Sequence, residues 1–159
     1  IMNFIGTGYA FDDIKKHINK YGLSDRVTIH GVISDRVTLS KYYAASDLFL
    51  FPSFYDNAPL VVREAAAMGT PSVLLSGSTA SEVISDRCNG FLTGRSPEEF
   101  AALVKYISVH PDLLHSVAKG ARSTLIRSWR DVVEEVADRY ETLINSYVCH
   151  PAASLSVTI

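Results

Sequence analysis

Two acidic residues, Asp56 and Glu64, lie in the stretch of the chain whose residue types and spacing best suit chemistry. The apolar run at residues 48–51 predicts a strand buried on both faces. The residues after it predict a loop and then a helix that has Pro59 at its first position and ends at Gly69. Asp56 is therefore expected on the loop and Glu64 inside the helix.

The start of this helix is a predicted phosphate site. A helix that begins after the carboxyl end of a parallel strand exposes unpaired N–H groups and roughly half a positive charge. The donors would be the amides of Leu60 and Val61. At about 1.5 Å per residue, the Glu64 carboxylate reaches about 6–8 Å from the helix tip, the span from a diphosphate to its ribose. A carboxylate accepts two hydrogen bonds at once, so Glu64 suits the ribose 2′- and 3′-hydroxyls, and Asp56 would face the other end of the diphosphate.

The same stretch resembles the group 1 retaining glycosyltransferases of GT-B fold, whose pattern is an acidic residue, seven residues and then Glu. Asp56 and Glu64 match that pattern inside a longer family-like run at residues 52–71. Two carboxylates at this spacing are common by chance, but the whole run is not. Further matches are Val27-x-Ile29-x-Gly31, Tyr42-x-Ala44-Ala45-Ser46-Asp47, Glu82 and Asn89-Gly90-Phe91. The resemblance covers roughly residues 1–145.

The resemblance implies a fold and a reaction. The fold would be α/β, with a Rossmann-like doubly wound parallel sheet, as in the C-terminal, donor-binding half of a GT-B enzyme, and with a helical C-terminal end. The reaction would move a sugar from a nucleotide diphosphate donor, UDP- or GDP-linked, to an acceptor hydroxyl with retention at the anomeric carbon. No cofactor and no metal are expected.

The resemblance also assigns residues. Asp56 and Glu64 would be the catalytic pair, with Asp56 orienting the sugar hydroxyls and Glu64 clamping the ribose. Asp56 is one methylene shorter than the more usual Glu, and the alternative is a turn residue before the helix. The donor-binding residues would be Gly8, Gly31, Val32, Ile33, Asn57, Ala58, Pro59, Leu60 and Val61. Gly8 belongs to Gly6-x-Gly8, which lacks the third glycine of a dinucleotide fingerprint, so a tight turn is the alternative there.

The elements that must position these residues alternate regularly. Strands are predicted at residues 1–5, 26–30, 48–51, 72–75 and 91–93. Helices are predicted at 12–21, 35–45 with Ser34 as its cap, 59–68, 81–85, 97–110 with Ser96 as its cap, 111–128 and 131–145. This alternation favours a doubly wound parallel sheet with ligand at the carboxyl ends of its strands. One domain is expected at 1–146, followed by a loose tail at 147–159.

Only the second half of a GT-B enzyme is matched. The first domain, and the first strand and helix of the second, are expected to be missing. That region carries a basic pair for the diphosphate; Arg63, Arg87 and Arg95 are candidates to replace it, although Arg63 is expected to point to solvent. The absent strand is central in the order 3-2-1-4-5-6. It must come from residues outside this sequence, or the strands must close up or pair with a second copy. The chain alone should bind donor weakly and transfer no sugar.

Other functions fit the same sequence. A sugar-nucleotide epimerase and a phosphorylase share the two-domain architecture, although no cofactor lysine of a phosphorylase can be placed. A non-catalytic nucleotide-sugar-binding subunit suits a chain without an acceptor half. An N-terminal α/β domain in the full-length protein would favour the enzyme, and that domain would bind a glycan or lipid-linked acceptor.

Composition excludes several classes of protein. The chain has 159 residues, 47% of them hydrophobic and 20% charged, as is typical of one soluble domain. A net charge of −2 gives no basic field, so no nucleic-acid partner is expected. Cys88 and Cys149 are expected to be reduced thiols, and no membrane span or signal peptide is visible. A cytoplasmic protein is therefore expected, free or peripheral at the inner face of the membrane at full length.

Overall fold

The computed structural model describes residues 1–56 and 59–149. Within them the strands are β1 (Met2–Phe4), β2 (Val27–Ile29), β3 (Phe49–Phe51), β4 (Ser72–Leu75) and β5 (Phe91–Thr93). Between strands lie α1 (Phe11–Lys20), α2 (Arg36–Ala44), α3 (Leu60–Ala67) and a 3₁₀ helix (Thr79–Val83). After β5 come α4 (Pro97–Ser108), α5 (Pro111–Thr124) and α6 (Trp129–Cys149). The predicted α/β alternation and helical end are confirmed.

The strands form two parallel sheets rather than one. β1 pairs with β2, and β4 pairs with both β3 and β5. In the part of the chain that the structure describes, neither β1 nor β2 pairs with β3. This break falls where the absent central strand was expected. The strands have not closed up, and self-association through their free edges stays a prediction.

The hydrophobic core surrounds β4. All four residues of this strand are buried, because it has a paired strand on each edge. Successive side chains of a strand point to opposite faces, so Leu74 and Val73 belong to different clusters. The first cluster contains Val62, Ala66, Leu74, Ala80, Ile84, Ala121 and Leu125. The second contains Val73, Phe91, Ile107 and Val117. The three-stranded sheet is therefore covered on both faces.

Strand β3 differs from the prediction that it is buried on both faces. Its three residues are only half-buried. The reason is that β3 has a paired neighbour only on the β4 side, which leaves its other edge open. Aromatic packing still joins it to α2, since the ring centre of Phe49 lies 5.5 Å from that of Tyr43.

The cap of α2 is Asp35, not Ser34 as predicted. The Asp35 carboxylate accepts hydrogen bonds from the hydroxyl of Thr38 at 2.6 Å and from its N–H at 2.8 Å. These two bonds, the hydroxyl first, hold the pKa of Asp35 below its ordinary value. Ser and Asp are about equally good caps, so the choice follows from the Asp35 carboxylate lying within reach of Thr38. Helix α2 therefore begins at Arg36.

The segments around β5 agree more closely with the prediction. Ser96 and Glu99 form a complete capping box at the start of α4, with Pro97 at the first turn as expected. The helix predicted at 81–85 is a single 3₁₀ segment that begins two residues earlier, at Thr79. Short helical segments often take this tighter form.

The C-terminal helices have different limits from those predicted. Helix α5 ends at Thr124 instead of 128, and α6 begins at Trp129 instead of 131. Helix α6 continues through residues 147–149, which the sequence assigned to a loose tail. The rest of that tail, 150–159, lies outside the described residues. Among the helices that the structure describes, none has the length and hydropathy needed to cross a membrane.

Candidate functional site

The loop after β3 holds Asp56 against a neighbouring loop. The N–H of Asp56 donates to Oγ1 of Thr79 at 3.0 Å, and the same hydroxyl donates to the Asp56 carbonyl at 3.1 Å. Within the described residues, no side chain donates a hydrogen bond to the Asp56 carboxylate. The Thr79 hydroxyl therefore fixes the backbone of Asp56. Nothing in the sequence pointed to Thr79 as this anchor, because it lies 23 positions away from Asp56.

Helix α3 begins at Leu60, four residues after Asp56. Pro59 is buried and immediately precedes the helix, whereas the prediction placed it at the first helical position. Its side chain cannot cap the amides behind it, and Leu60 is 62% exposed. Leu60 and Val61 thus occupy the first turn, where backbone N–H groups have no partner within the helix. Asn57 and Ala58, the other predicted donor contacts here, lie outside the described residues.

Glu64 lies in the middle of α3 and is paired across to α2. Its Oε1 accepts a hydrogen bond from Nη2 of Arg36 at 2.7 Å. Its Oε2 is buried and has no hydrogen-bond partner among the residues described. A buried carboxylate oxygen without a donor costs about 1–3 kcal/mol, so this atom would gain from a ligand hydroxyl. Sequence analysis missed Arg36, since nothing local links positions 36 and 64.

A cavity of about 240 Å³ lies between α2 and α3 beside this ion pair. Its walls are Arg36, Leu39, Ser40, Tyr43, Glu64, Ala67 and Met68. Burial, and next the negative charge of Glu64, raise the pKa of the Tyr43 hydroxyl. The Glu64 carboxylate and the Tyr43 hydroxyl are therefore neighbours in a largely apolar wall.

The loops after β1 and β2 are joined to each other. The N–H of Gly6 donates to the carbonyl of Gly31 at 2.7 Å, and Gly31 has a φ of +69°, which suits glycine. Val32 is 66% exposed and Ile33 half-buried, so this backbone is accessible. Gly8 accepts from an N–H of α1 and so forms the tight turn given as its alternative; donor contact there stays a prediction.

His30 fixes the position of the β2 loop. Nε2 of its ring is hydrogen-bonded to Oδ1 of Asn3 at 2.8 Å, and Nδ1 is hydrogen-bonded to the Tyr42 hydroxyl at 3.1 Å. Both ring nitrogens are therefore engaged within the protein. This network links β1, β2 and α2 at the carboxyl ends of the first two strands.

The three candidate arginines lie in different places. Arg63 does not point to solvent as predicted: its Nη1 donates to the carbonyl of Leu125 at 2.7 Å, at the C-terminal end of α5. Arg87 is on the turn before β5, at the amino end of that strand. Arg95 follows β5, and its guanidinium lies 5.3 Å from the ring centre of Phe54. Among these three, only Arg95 lies at the carboxyl ends of the strands.

Metal ligands are not clustered in residues 1–56 and 59–149. No group of three or more His, Cys, Asp or Glu side chains there is arranged to hold a metal ion. The candidate site is instead made of two carboxylates, at Asp56 and Glu64, on either side of the first turn of α3. The two carboxylates can accept hydrogen bonds from hydroxyl groups, and the N–H groups of the first turn of α3 can hold an anion.

Known proteins provide an independent comparison. The family model for glycosyl transferases group 1 matches residues 2–124. A D-inositol 3-phosphate glycosyltransferase of Xylanimonas cellulosilytica is 28% identical over 137 residues, which is 85% of this chain and 33% of that protein. An alpha-D-kanosaminyltransferase of Streptomyces kanamyceticus is 30% identical over 118 residues, 73% of this chain and 30% of that one. The chain thus spans about a third of these relatives.

Solved structures agree on the fold. Sucrose-phosphate synthase from Thermosynechococcus elongatus superposes with a TM-score of 0.76 at 23% identity, over 91% of this chain and 38% of that one. Anabaena HepE, solved in complex with UDP-glucose, gives a TM-score of 0.73 at 25% identity, over 90% of this chain and 40% of that one. The fold is the Rossmann-like half of a GT-B enzyme. With the family model matching most of its length, this chain belongs to the group 1 glycosyltransferases.

Proposed function

We propose that this chain is the donor-binding half of a retaining glycosyltransferase of hexosyltransferase type. The observation that carries the proposal is the state of Glu64. Its carboxylate lies about 6 Å along α3 from the exposed first turn, and one of its oxygens is buried without a partner among the described residues. A ribose whose diphosphate rests on the amides of Leu60 and Val61 would bring two hydroxyls to that carboxylate.

The identity of the donor is inferred from similar proteins. The neighbour HepE was solved with UDP and with UDP-glucose. A UDP-linked donor is accordingly our first choice and a GDP-linked donor our second. The nucleotide base would lie against the backbone at Gly31, Val32 and Ile33, because this loop is accessible and is joined to α3 through Arg36.

The chemistry assigned to each group follows from its charge. As the bond between the anomeric carbon and the diphosphate breaks, negative charge grows on the departing phosphate oxygen, and the amides at the start of α3 stabilise it. Glu64 fixes the ribose, and Asp56 accepts hydrogen bonds from sugar hydroxyls, so that the anomeric carbon is held in place. The new bond to the acceptor oxygen forms on the same face of the sugar, and the proton of the acceptor hydroxyl passes to the departing phosphate oxygen. The acceptor, a glycan or lipid-linked glycan, would be bound by a further domain.

A donor panel tests the proposal. Titration calorimetry of this chain with UDP-, GDP- and ADP-glucose should show saturable binding, with at least a tenfold preference for one nucleotide. The affinity for each nucleotide-sugar should differ from the affinity for the same nucleotide without the sugar, because the sugar adds hydrogen bonds to Asp56. If no nucleotide-sugar binds saturably at millimolar concentration, in protein shown by circular dichroism to be folded, the donor-binding role is wrong.

Asp56→Ala should remove the contribution of the sugar to binding affinity and leave the contribution of the nucleotide unchanged. The variant keeps the backbone bonds to Thr79 at 3.0 and 3.1 Å, so the loop should keep its shape. Losing a hydrogen bond to a charged group costs roughly 1.5–3 kcal/mol, about tenfold or more in affinity for UDP-glucose. Calorimetry with UDP alone should give nearly the wild-type value.

The matched control is Asp25→Ala, which changes an exposed carboxylate on a different loop. It should alter neither affinity. A tenfold loss of affinity for UDP itself in Asp56→Ala would assign Asp56 to the phosphate side or to the structure of the loop, and would remove the sugar contact from the proposal.

A further inference from the structure

We propose that Arg36 is a positioning residue for donor binding: its guanidinium holds one oxygen of Glu64, so that the other oxygen is presented to the ribose hydroxyls. This inference rests on the proposed function of Glu64 and adds to it a residue from a different helix. The contact that carries it is the hydrogen bond of 2.7 Å between Nη2 of Arg36 and Oε1 of Glu64.

The backbone around Arg36 is well suited to such a role. Arg36 is the first residue of α2, directly after the loop that follows β2. Asp35 caps the helix at that point through two bonds to Thr38, which fixes where the arginine side chain starts. Arg36 therefore connects the predicted base-binding loop to the predicted ribose-binding carboxylate.

The ion pair differs from the exposed pair of Arg130 and Glu134. Arg130 and Glu134 are four residues apart on α6, and both side chains are exposed, at 86% and 62%. The Arg36 side chain is 74% exposed, but that of Glu64 is only 27% exposed, and the pair joins two helices. An ion pair with one exposed partner adds little to stability. Its effect is instead to restrict the rotamer of the more buried side chain.

The surroundings of Glu64 offer few other ways to hold it. The surface of the cavity beside it is largely apolar, although Ser40 and Tyr43 also line it, and Oε2 has no hydrogen-bond partner within the described residues. Without the guanidinium, the Tyr43 hydroxyl would be the main polar neighbour left to the carboxylate, and the Glu64 side chain could adopt other rotamers. A carboxylate oxygen can accept more than one hydrogen bond, so Arg36 and a ribose hydroxyl can bind at the same time.

Titration calorimetry with UDP and with 2′,3′-dideoxy-UDP tests the inference. Wild-type protein should prefer UDP by at least tenfold, because only UDP has the hydroxyls that Glu64 accepts from. Arg36→Met should reduce that preference at least threefold and leave the affinity for the dideoxy compound unchanged. Arg36→Lys keeps the charge and should restore part of the preference. Arg130→Met, which removes an ion pair of 2.9 Å on α6, is the control and should behave as wild type.

The results of these titrations distinguish the positioning role of Arg36 from the ribose-binding role of Glu64. If wild type prefers UDP and Arg36→Met keeps the full preference, Arg36 has no positioning role while Glu64 retains its own. If wild type binds both nucleotides equally, the ribose role of Glu64 fails, and the inference fails with it. Stronger UDP binding in Arg36→Met would mean that the arginine competes with ribose, which also overturns the inference. Should the methionine variant not fold, the preference of Arg36→Lys for UDP over the dideoxy compound decides instead.

Discussion

Replacing Glu64 with alanine is expected to weaken nucleotide-sugar binding at least tenfold. A hydrogen bond to a charged group contributes roughly 1.5–3 kcal/mol, and the ribose would lose two of them. The fold should survive, because alanine favours a helix and the ion pair to Arg36 has an exposed partner. Titration calorimetry with the preferred nucleotide-sugar measures the loss, and circular dichroism checks that the helices remain.

Two further variants sharpen this test. Glu64→Gln keeps the shape and one acceptor oxygen, so its loss should be smaller than that of the alanine variant. Glu134→Ala removes a carboxylate whose ion pair, at 2.9 Å, is similar in length to that of Glu64 but lies on α6. It should bind donor as wild type does. Unchanged affinity in folded Glu64→Ala protein would refute the ribose contact.

The second large effect is expected on stability, from Gly120→Ala in α5. A Cβ atom at position 120 would lie 1.9 Å from the carbonyl oxygen of Cys88 and 3.0 Å from its carbonyl carbon. Both are backbone atoms that cannot rotate away, so α5 must shift. Val117, one turn before it on the same helix, and Ala121, the next residue, are fully buried and would lose packing. We expect the free energy of unfolding to fall by about 2–3 kcal/mol. This net value already includes the gain of about 1 kcal/mol that alanine brings in helix propensity.

Thermal and urea unfolding check this prediction. A loss of this size corresponds to a fall in Tm of about 4–12 °C for a chain of this length. Lys119→Ala, at the adjacent exposed position of α5, is the control and should unfold near the wild-type temperature. If Gly120→Ala were as stable as wild type or more so, helix propensity would outweigh the contact, and the close approach of α5 to the Cys88 turn would be wrong.

Features of the site that depend on neighbouring residues could be predicted from the sequence. The apolar run before Pro52 and the good helix formers after Pro59 predict the strand, loop and helix that place Asp56 and Glu64. The capping box of Ser96 and Glu99 is confirmed for the same reason: its two hydrogen bonds join residues three apart. The family could also be recognised, because the run at 52–71 is a linear string.

Helix limits were less predictable, since neighbouring residues can compete for one role. Ser34 and Asp35 are both good caps, and only the orientation of the Asp35 carboxylate toward Thr38 decides between them. The burial of β3 was overestimated because an apolar run does not reveal whether a strand has one paired neighbour or two. Both outcomes depend on how the elements are placed.

Only the tertiary structure decided the contacts between residues that are distant in the sequence. Thr79 fixes Asp56 from 23 positions away, Arg36 reaches Glu64 across 28, and Arg63 reaches Leu125 across 62. No periodicity in the sequence reports such pairs, because they exist only where two elements pack at a particular angle and distance. The sequence by itself determined that two carboxylates flank a helix start at the end of a parallel strand. Packing of α2 against α3 determined that one oxygen of Glu64 is held by Arg36 and that the other is buried without a hydrogen-bond partner among the described residues.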